Sequence, residues 1–117
     1  MSTTNSPPAN QSANRVVLTA RIAELEAQRY TPAGLPALTF TLEHESEAQE
    51  AGQARQVKLV MKAVAFGAMA ERIAKQAIGS LWRFEGFLAS GRNGKGVVFH
   101  IQDMTAKGSP VTPESQD

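Results

Sequence analysis

Apolar and polar residues alternate with a period of two in five segments of the chain. This alternation, together with many Val, Leu and Phe residues, is typical of β-strands that bury one face. The five predicted strands lie within RVVLTARIAEL, ALTFTLEHES, RQVKLVMKAVAF, SLWRFEGFLAS and GVVFHIQDM. Loops are predicted at TPAGLP and at EHESEAQEAGQA, a polar stretch that carries Glu43, Glu45, Glu47 and Glu50.

Between the third and fourth predicted strands the period changes to that of a helix. Met69, Ile73 and Ala77 recur at helical spacing, and Gly79 follows as a stop signal. Five antiparallel strands in a short chain must hide their edges, and closure into a small barrel is the usual solution. We therefore predict an all-β, five-stranded OB-fold Greek-key barrel with one short helix between strands three and four. Because side chains fill such a barrel, function is expected on its outer face and loops.

The chain of 117 residues has room for one domain, but its two ends differ in composition from its body. Residues 1–14 contain no charged side chain, and residues 107–117 contain two prolines and a glycine. Neither end can bury enough apolar surface to offset the entropy of ordering. We predict a disordered tail over residues 1–14, the OB domain over 15–106 and a flexible tail over 107–117.

The formal net charge is only +1, so a polyanionic partner would need a local basic patch. The absence of cysteine excludes disulfides and thiolate metal sites. No apolar run approaches the roughly 18 residues of a membrane span, and the N-terminus lacks the pattern of a secretory signal. A cytoplasmic location without membrane contact is expected.

Candidates for catalysis are few. His44 and His100 are the only histidines and fall in separate strands, and Asp103 is the only aspartate before the C-terminal residue. No serine stands in a nucleophile motif, and GRNGKG is not a phosphate-binding P-loop because Lys95 is followed by Gly96. We expect no enzymatic activity, no cofactor and no metal.

Basic side chains concentrate in three places that an OB fold would use to bind an oligonucleotide. Lys58 and Lys62 share one side of the third predicted strand, Arg29 lies in the turn after the first strand, and Asn93-Gly94 predicts a hairpin turn flanked by Arg92 and Lys95. The same lysines could instead belong to an ordinary solvated face, and Trp82 is expected in the core. The candidate DNA-binding residues are Arg29, Tyr30, Arg55, Lys58, Lys62, Arg92 and Lys95.

Several motifs together support a family resemblance: NRVVLTARI, TPAGLPALTFTLEHES, EAGQARQ, GSLWRFEGFLAS and NGKGVVFHI. On these motifs the chain resembles the primosomal replication protein N family (PriB) of bacterial replication-restart proteins. The resemblance implies a non-catalytic OB-fold homodimer that binds single-stranded DNA and joins the primosomal helicase and other primosome proteins. General single-stranded DNA-binding proteins are similar in fold, but they end in an acidic, apolar tip that VTPESQD lacks.

By position, the resemblance implies DNA contacts at Arg29, Arg55, Lys58, Arg92 and Lys95. Members of the family carry aromatic residues where this chain has Lys58 and Gln53. Because stacking contributes about 1–3 kcal/mol per base, we expect binding that depends more on phosphate contacts here. Two alternatives stay open, a general single-stranded DNA-binding protein and an OB protein-interaction module with weak DNA affinity.

Overall fold

The computed structural model describes residues 12–106 of the chain. The predicted C-terminal tail and residues 1–11 of the predicted N-terminal tail lie outside the described residues. The elements in chain order are β1 (Val16–Leu25), β2 (Arg29–Tyr30), β3 (Pro36–Glu50), β4 (Gln53–Phe66), α1 (Ala68–Ala74), β5 (Leu81–Ser90) and β6 (Val97–Ala106). The five predicted strands are therefore β1, β3, β4, β5 and β6, and α1 is shorter than the helical pattern suggested.

The five long strands close into a barrel. β1 pairs antiparallel with both β3 and β5, and a shift in register between Ile22 and Glu24 marks a bulge within its pairing with β3. β5 continues to β6, β6 runs parallel to β4, and β4 returns to β3. With α1 between the third and fourth barrel strands, this confirms the predicted five-stranded OB topology.

Large side chains fill the barrel interior. Phe40, Phe84 and Phe99 are completely buried, and the ring centroids of Phe40 and Phe84 lie 6.1 Å apart. Ile73 of α1 belongs to the same buried cluster, so the helix covers part of the core. Trp82 packs against this cluster but is only half-buried, and its Nε1 donates a hydrogen bond to Ser80 Oγ at 2.9 Å.

The pairing of β5 with β6 depends on a glycine. The register shifts between Glu85 and Gly86, and Gly86 packs against the backbone of His100. A Cβ atom at position 86 would lie 1.8 Å from the carbonyl oxygen of His100. Only glycine permits this close approach, which lets β5 curve around the barrel.

The predicted acidic loop is wrong: residues 43–50 continue β3. β3 and β4 pair without interruption from Ala37↔Phe66 to Glu50↔Gln53, and Ala51 and Gly52 form the turn with positive φ angles of 53° and 78°. We name residues 45–58 the arm. Its side chains are exposed except for half-buried Val57, so both faces are polar and no alternation reveals the strand.

Candidate nucleic-acid interface

A groove of about 660 Å³ runs across the outer face of the barrel between β3 and the loop that joins β5 to β6. Four cationic side chains and one carboxylate line it. The charged lining residues are Glu26, Arg29, Lys62, Arg92 and Lys95. The groove is thus a concave surface with a local excess of positive charge on a chain whose net charge is close to zero.

Two hydrogen bonds to Thr39 position the β1–β2 segment on one wall of the groove. The backbone amide of Glu26 donates to the Thr39 carbonyl at 3.0 Å, and Arg29 Nη1 donates to Thr39 Oγ1 at 3.0 Å. On the same wall, Lys62 Nζ lies 3.4 Å from Glu26 Oε2. Thr39 is the cross-strand partner of Val64, so this wall meets the groove floor directly.

The opposite wall is the loop of residues 91–96. Asn93 and Gly94 have positive φ angles of 68° and 70°, as their hairpin signal predicted, although the loop is longer than a two-residue turn. The Gly94 amide donates to the Gly91 carbonyl at 3.0 Å, and a Cβ on Gly91 would lie 2.5 Å from the Lys95 carbonyl oxygen. This compact loop brings Arg92 and Lys95 to the groove.

The floor of the groove is apolar and aromatic. Val64, Val98 and His100 line it, and the His100 ring stacks on Phe87 with centroids 4.8 Å apart and an interplanar angle of 14°. Phe66 lies on the other side of His100, with centroids 6.1 Å apart, and is 41% exposed. We name Phe66, His100 and Phe87 the aromatic stack; His100 lines the groove, and the two phenylalanines contact its ring from outside the lining.

The structure brings together four of the seven sequence-predicted site residues. Arg29, Lys62, Arg92 and Lys95 all line the groove. They come from β2, β4 and the β5–β6 loop, which are distant in sequence and meet only because the barrel closes. The three remaining residues, Tyr30, Arg55 and Lys58, lie elsewhere.

Arg55 and Lys58 belong to the arm, where glutamates surround them. Arg55 Nε lies 2.7 Å from Glu50 Oε1, and Lys58 is the direct cross-strand partner of Glu45. Because side chains alternate between the two faces of a strand, Arg55 projects from the face opposite to that of Lys58 and Lys62. The arm therefore does not extend the basic groove as a continuous stripe.

Tyr30 is 65% exposed and is not part of the groove lining. Its hydroxyl accepts a hydrogen bond of 3.2 Å from Gln28 Nε2. His44, by contrast, has a structural role, because its Nδ1 lies 2.6 Å from the Thr19 carbonyl oxygen and links β3 to β1. Neither residue contributes a side chain to the groove.

Sequence reasoning did not identify the aromatic stack or Glu26 as part of the site. Phe87 occupies the same outward-facing side of β5 as Arg83 and Glu85. An aromatic residue among polar outward positions was the one feature of the sequence that could have indicated this part of the stack. Phe66 and His100 had no comparable signal, since their proximity depends on the parallel pairing of β4 with β6. Glu26 follows the end of β1 and gave no local signal either.

Among residues 12–106, no group of three or more His, Cys, Asp or Glu side chains could hold a metal ion. Within the same range, no helix is long and apolar enough to cross a membrane.

Residues 14–103 match the model of a protein family described as another single-strand binding protein family. The match covers all five barrel strands except the end of β6. It therefore includes both walls and the floor of the groove.

The chain is also similar to curated proteins and to a solved structure. It is 46% identical over 90 residues to the replication restart protein PriB of Bordetella pertussis, a match covering 76% of this chain and 84% of that one. It is 36% identical over 98 residues to PriB of Nitrosomonas europaea, covering 83% and 91%. The structure of PriB from Ralstonia solanacearum aligns with a TM-score of 0.76 and 38% identity over 82% of this chain and 99% of that one.

Proposed function

Because the chain belongs to the single-strand binding protein family, among the replication restart proteins named PriB, we propose that it is a non-catalytic protein that binds single-stranded DNA during replication restart. The groove is the binding site in this proposal. Arg29, Lys62, Arg92 and Lys95 hold the DNA, and the aromatic stack supports the bases.

The observation that carries the proposal is the convergence of four cations on one groove with an apolar floor. Proteins that bind single strands combine a positively charged groove along the backbone with aromatic rings on which bases stack. A small-molecule site would enclose its ligand, whereas this groove is open on the outer face of a filled barrel.

The two walls have different roles in the proposed complex. Arg92 and Lys95 belong to the glycine-rich loop of residues 91–96, and their side chains contact the phosphates of the DNA strand in this proposal. The floor of Val64, Val98 and His100 offers an apolar and aromatic surface for the bases. The strand would lie with its phosphates toward the loop and its bases over the floor.

We extend the proposal to the partners and the setting of the protein. A homodimer that binds the primosomal helicase and other primosome proteins in the cytoplasm is consistent with the name replication restart protein carried by the relatives. The arm offers exposed charged surface for protein contact without obstructing the groove. Light scattering of the purified chain measures the oligomeric state.

Charge reversal in the groove tests the binding site. We expect the double variant Arg92→Glu, Lys95→Glu, which reverses both cations of the loop wall, to lose most of its affinity for an oligothymidine in a fluorescence anisotropy titration. The log–log salt dependence should also become shallower by about 1.4, since each neutralised phosphate of a single strand contributes about 0.7 to the slope.

The double variant Arg55→Glu, Lys58→Glu is the matched control, because it changes the net charge equally but lies on the arm. We expect its affinity and salt slope to stay close to those of the unmodified chain. If the two double variants bind alike, the groove is not the binding site. If the unmodified chain does not bind even at low salt, the chain is a protein-interaction module.

A further inference from the structure

One groove residue has no role in phosphate binding. Among the groove-lining residues that the structure describes, Glu26 is the one carboxylate. A negative charge beside a polyanion lowers the affinity for its phosphates. Glu26 must therefore lie away from the phosphates or weaken the binding that its neighbours favour.

The position of Glu26 places it on the base side of the proposed complex. The hydrogen bond from its amide to the Thr39 carbonyl holds it on the wall formed by the β1–β2 segment. This wall lies across the groove floor from the loop that carries Arg92 and Lys95. A strand whose phosphates follow the loop would point the edges of its bases toward this wall. Glu26 would then face base edges rather than phosphates.

Glu26 and Lys62 present complementary hydrogen-bonding groups side by side. Their charged atoms are 3.4 Å apart, and their side chains are 56% and 49% exposed, so both can reach a ligand. The carboxylate only accepts hydrogen bonds, and the ammonium only donates them. The exposed ion pair itself is weak and can rearrange around a base at little cost.

This pair distinguishes bases by their exposed edges. Cytosine carries an amino group that donates to a carboxylate, next to a ring nitrogen and a carbonyl oxygen that accept from an ammonium. Thymine has a carbonyl oxygen in place of that amino group, and the single N–H donor of its edge lies between two carbonyl oxygens. A carboxylate that accepts from this N–H is therefore repelled by an oxygen on either side, whereas the amino group of cytosine lies at the end of its edge with one acceptor beside it. The two pyrimidines are otherwise of similar size.

We infer that Glu26, together with Lys62, reads the base edge in the groove and gives the protein a preference for cytosine over thymine. The inference rests on the proposed function, because it requires single-stranded DNA in the groove. It gives Glu26 a specificity role that a purely phosphate-binding groove would not have.

The test compares an oligodeoxycytidine with an oligothymidine of equal length, titrated by anisotropy at fixed salt and mildly alkaline pH. We expect the full chain to bind the cytosine strand about fivefold more tightly, the lower end of what one good side chain–base pair contributes. We expect Glu26→Ala to remove the difference. Glu26→Gln should reduce or reverse it, since its amide can donate to thymine.

Glu71→Gln is the matched control, because Glu71 is exposed on α1 and outside the groove lining. It removes the same charge and should leave the cytosine preference unchanged. Equal binding of both strands by the unmodified chain, or an equal loss of preference in Glu71→Gln, would overturn the inference while leaving the proposed function in place. Failure of both strands to bind would overturn the proposed function, and the inference with it.

Discussion

β3 and β4 pass through two very different regions of this molecule. Over the barrel, their inward side chains, such as Phe40 and Leu42, are fully buried. In the arm, the same two strands pair only with each other and are exposed on both faces except at Val57. The ladder is continuous, but its surroundings change from a packed core to water.

The difference shows that basic residues on one strand need not share one site. Lys62 lies over the barrel and lines the groove together with three other cationic side chains. Lys58 shares the outward face of the strand, yet it lies opposite Glu45 in the arm. Barrel closure brings scattered charges together in one groove, whereas the arm pairs its charges locally.

Truncating a core side chain should give the largest effect and the clearest contrast between the two regions. Phe84→Ala removes a completely buried ring and leaves a cavity, so we expect a loss of about 3–5 kcal/mol in the free energy of unfolding. Val57→Ala in the arm should cost under about 1 kcal/mol, since Val57 is only half-buried. Urea denaturation measures both, and comparable losses would contradict the contrast.

Replacing the exposed ring of the aromatic stack should have an intermediate effect on DNA binding. Phe66→Leu keeps apolar contact but removes the flat face, so we expect a loss of about 1 kcal/mol in binding free energy, near the lower end for one stacked base. Ile78→Ala is the control, because Ile78 is a 58% exposed apolar residue that follows α1 and does not belong to the aromatic stack. Unchanged oligonucleotide affinity in Phe66→Leu would exclude stacking on this ring.

Removing the arm should have the smallest effect on the barrel. His44 and Leu59 are cross-strand partners, so an Asn-Gly turn can join them in place of residues 45–58. We expect a change of under about 1 kcal/mol in unfolding free energy, because an isolated two-stranded hairpin is itself marginally stable. Oligonucleotide affinity should stay within about twofold. A stability loss comparable with that of Phe84→Ala would show that the arm and barrel unfold as one unit.

The barrel was predictable because its signals are local. Alternation identified the inward positions of Phe40, Phe84 and Phe99, and the helical period located α1 between the correct strands. The Asn93-Gly94 signal placed the positive φ angles correctly. The outer part of the arm, residues 47–54, was missed because polar residues on both faces give no periodic pattern, so these ends of β3 and β4 are visible only through their pairing.

By itself the sequence determined the order of the strands along the chain, the apolar residues that fill the core and the presence of basic residues. These features can be read from residue types only a few positions apart. Tertiary structure alone decided which of those residues form a site. One groove is lined by Arg29, Lys62 and Arg92, because strands distant in the chain pair in one register. The same pairing brings the ring of Phe66 close to that of His100. A shift of two residues in such a register would keep every side chain on its own face but change which side chains are neighbours, and the alternation of period two does not distinguish these registers.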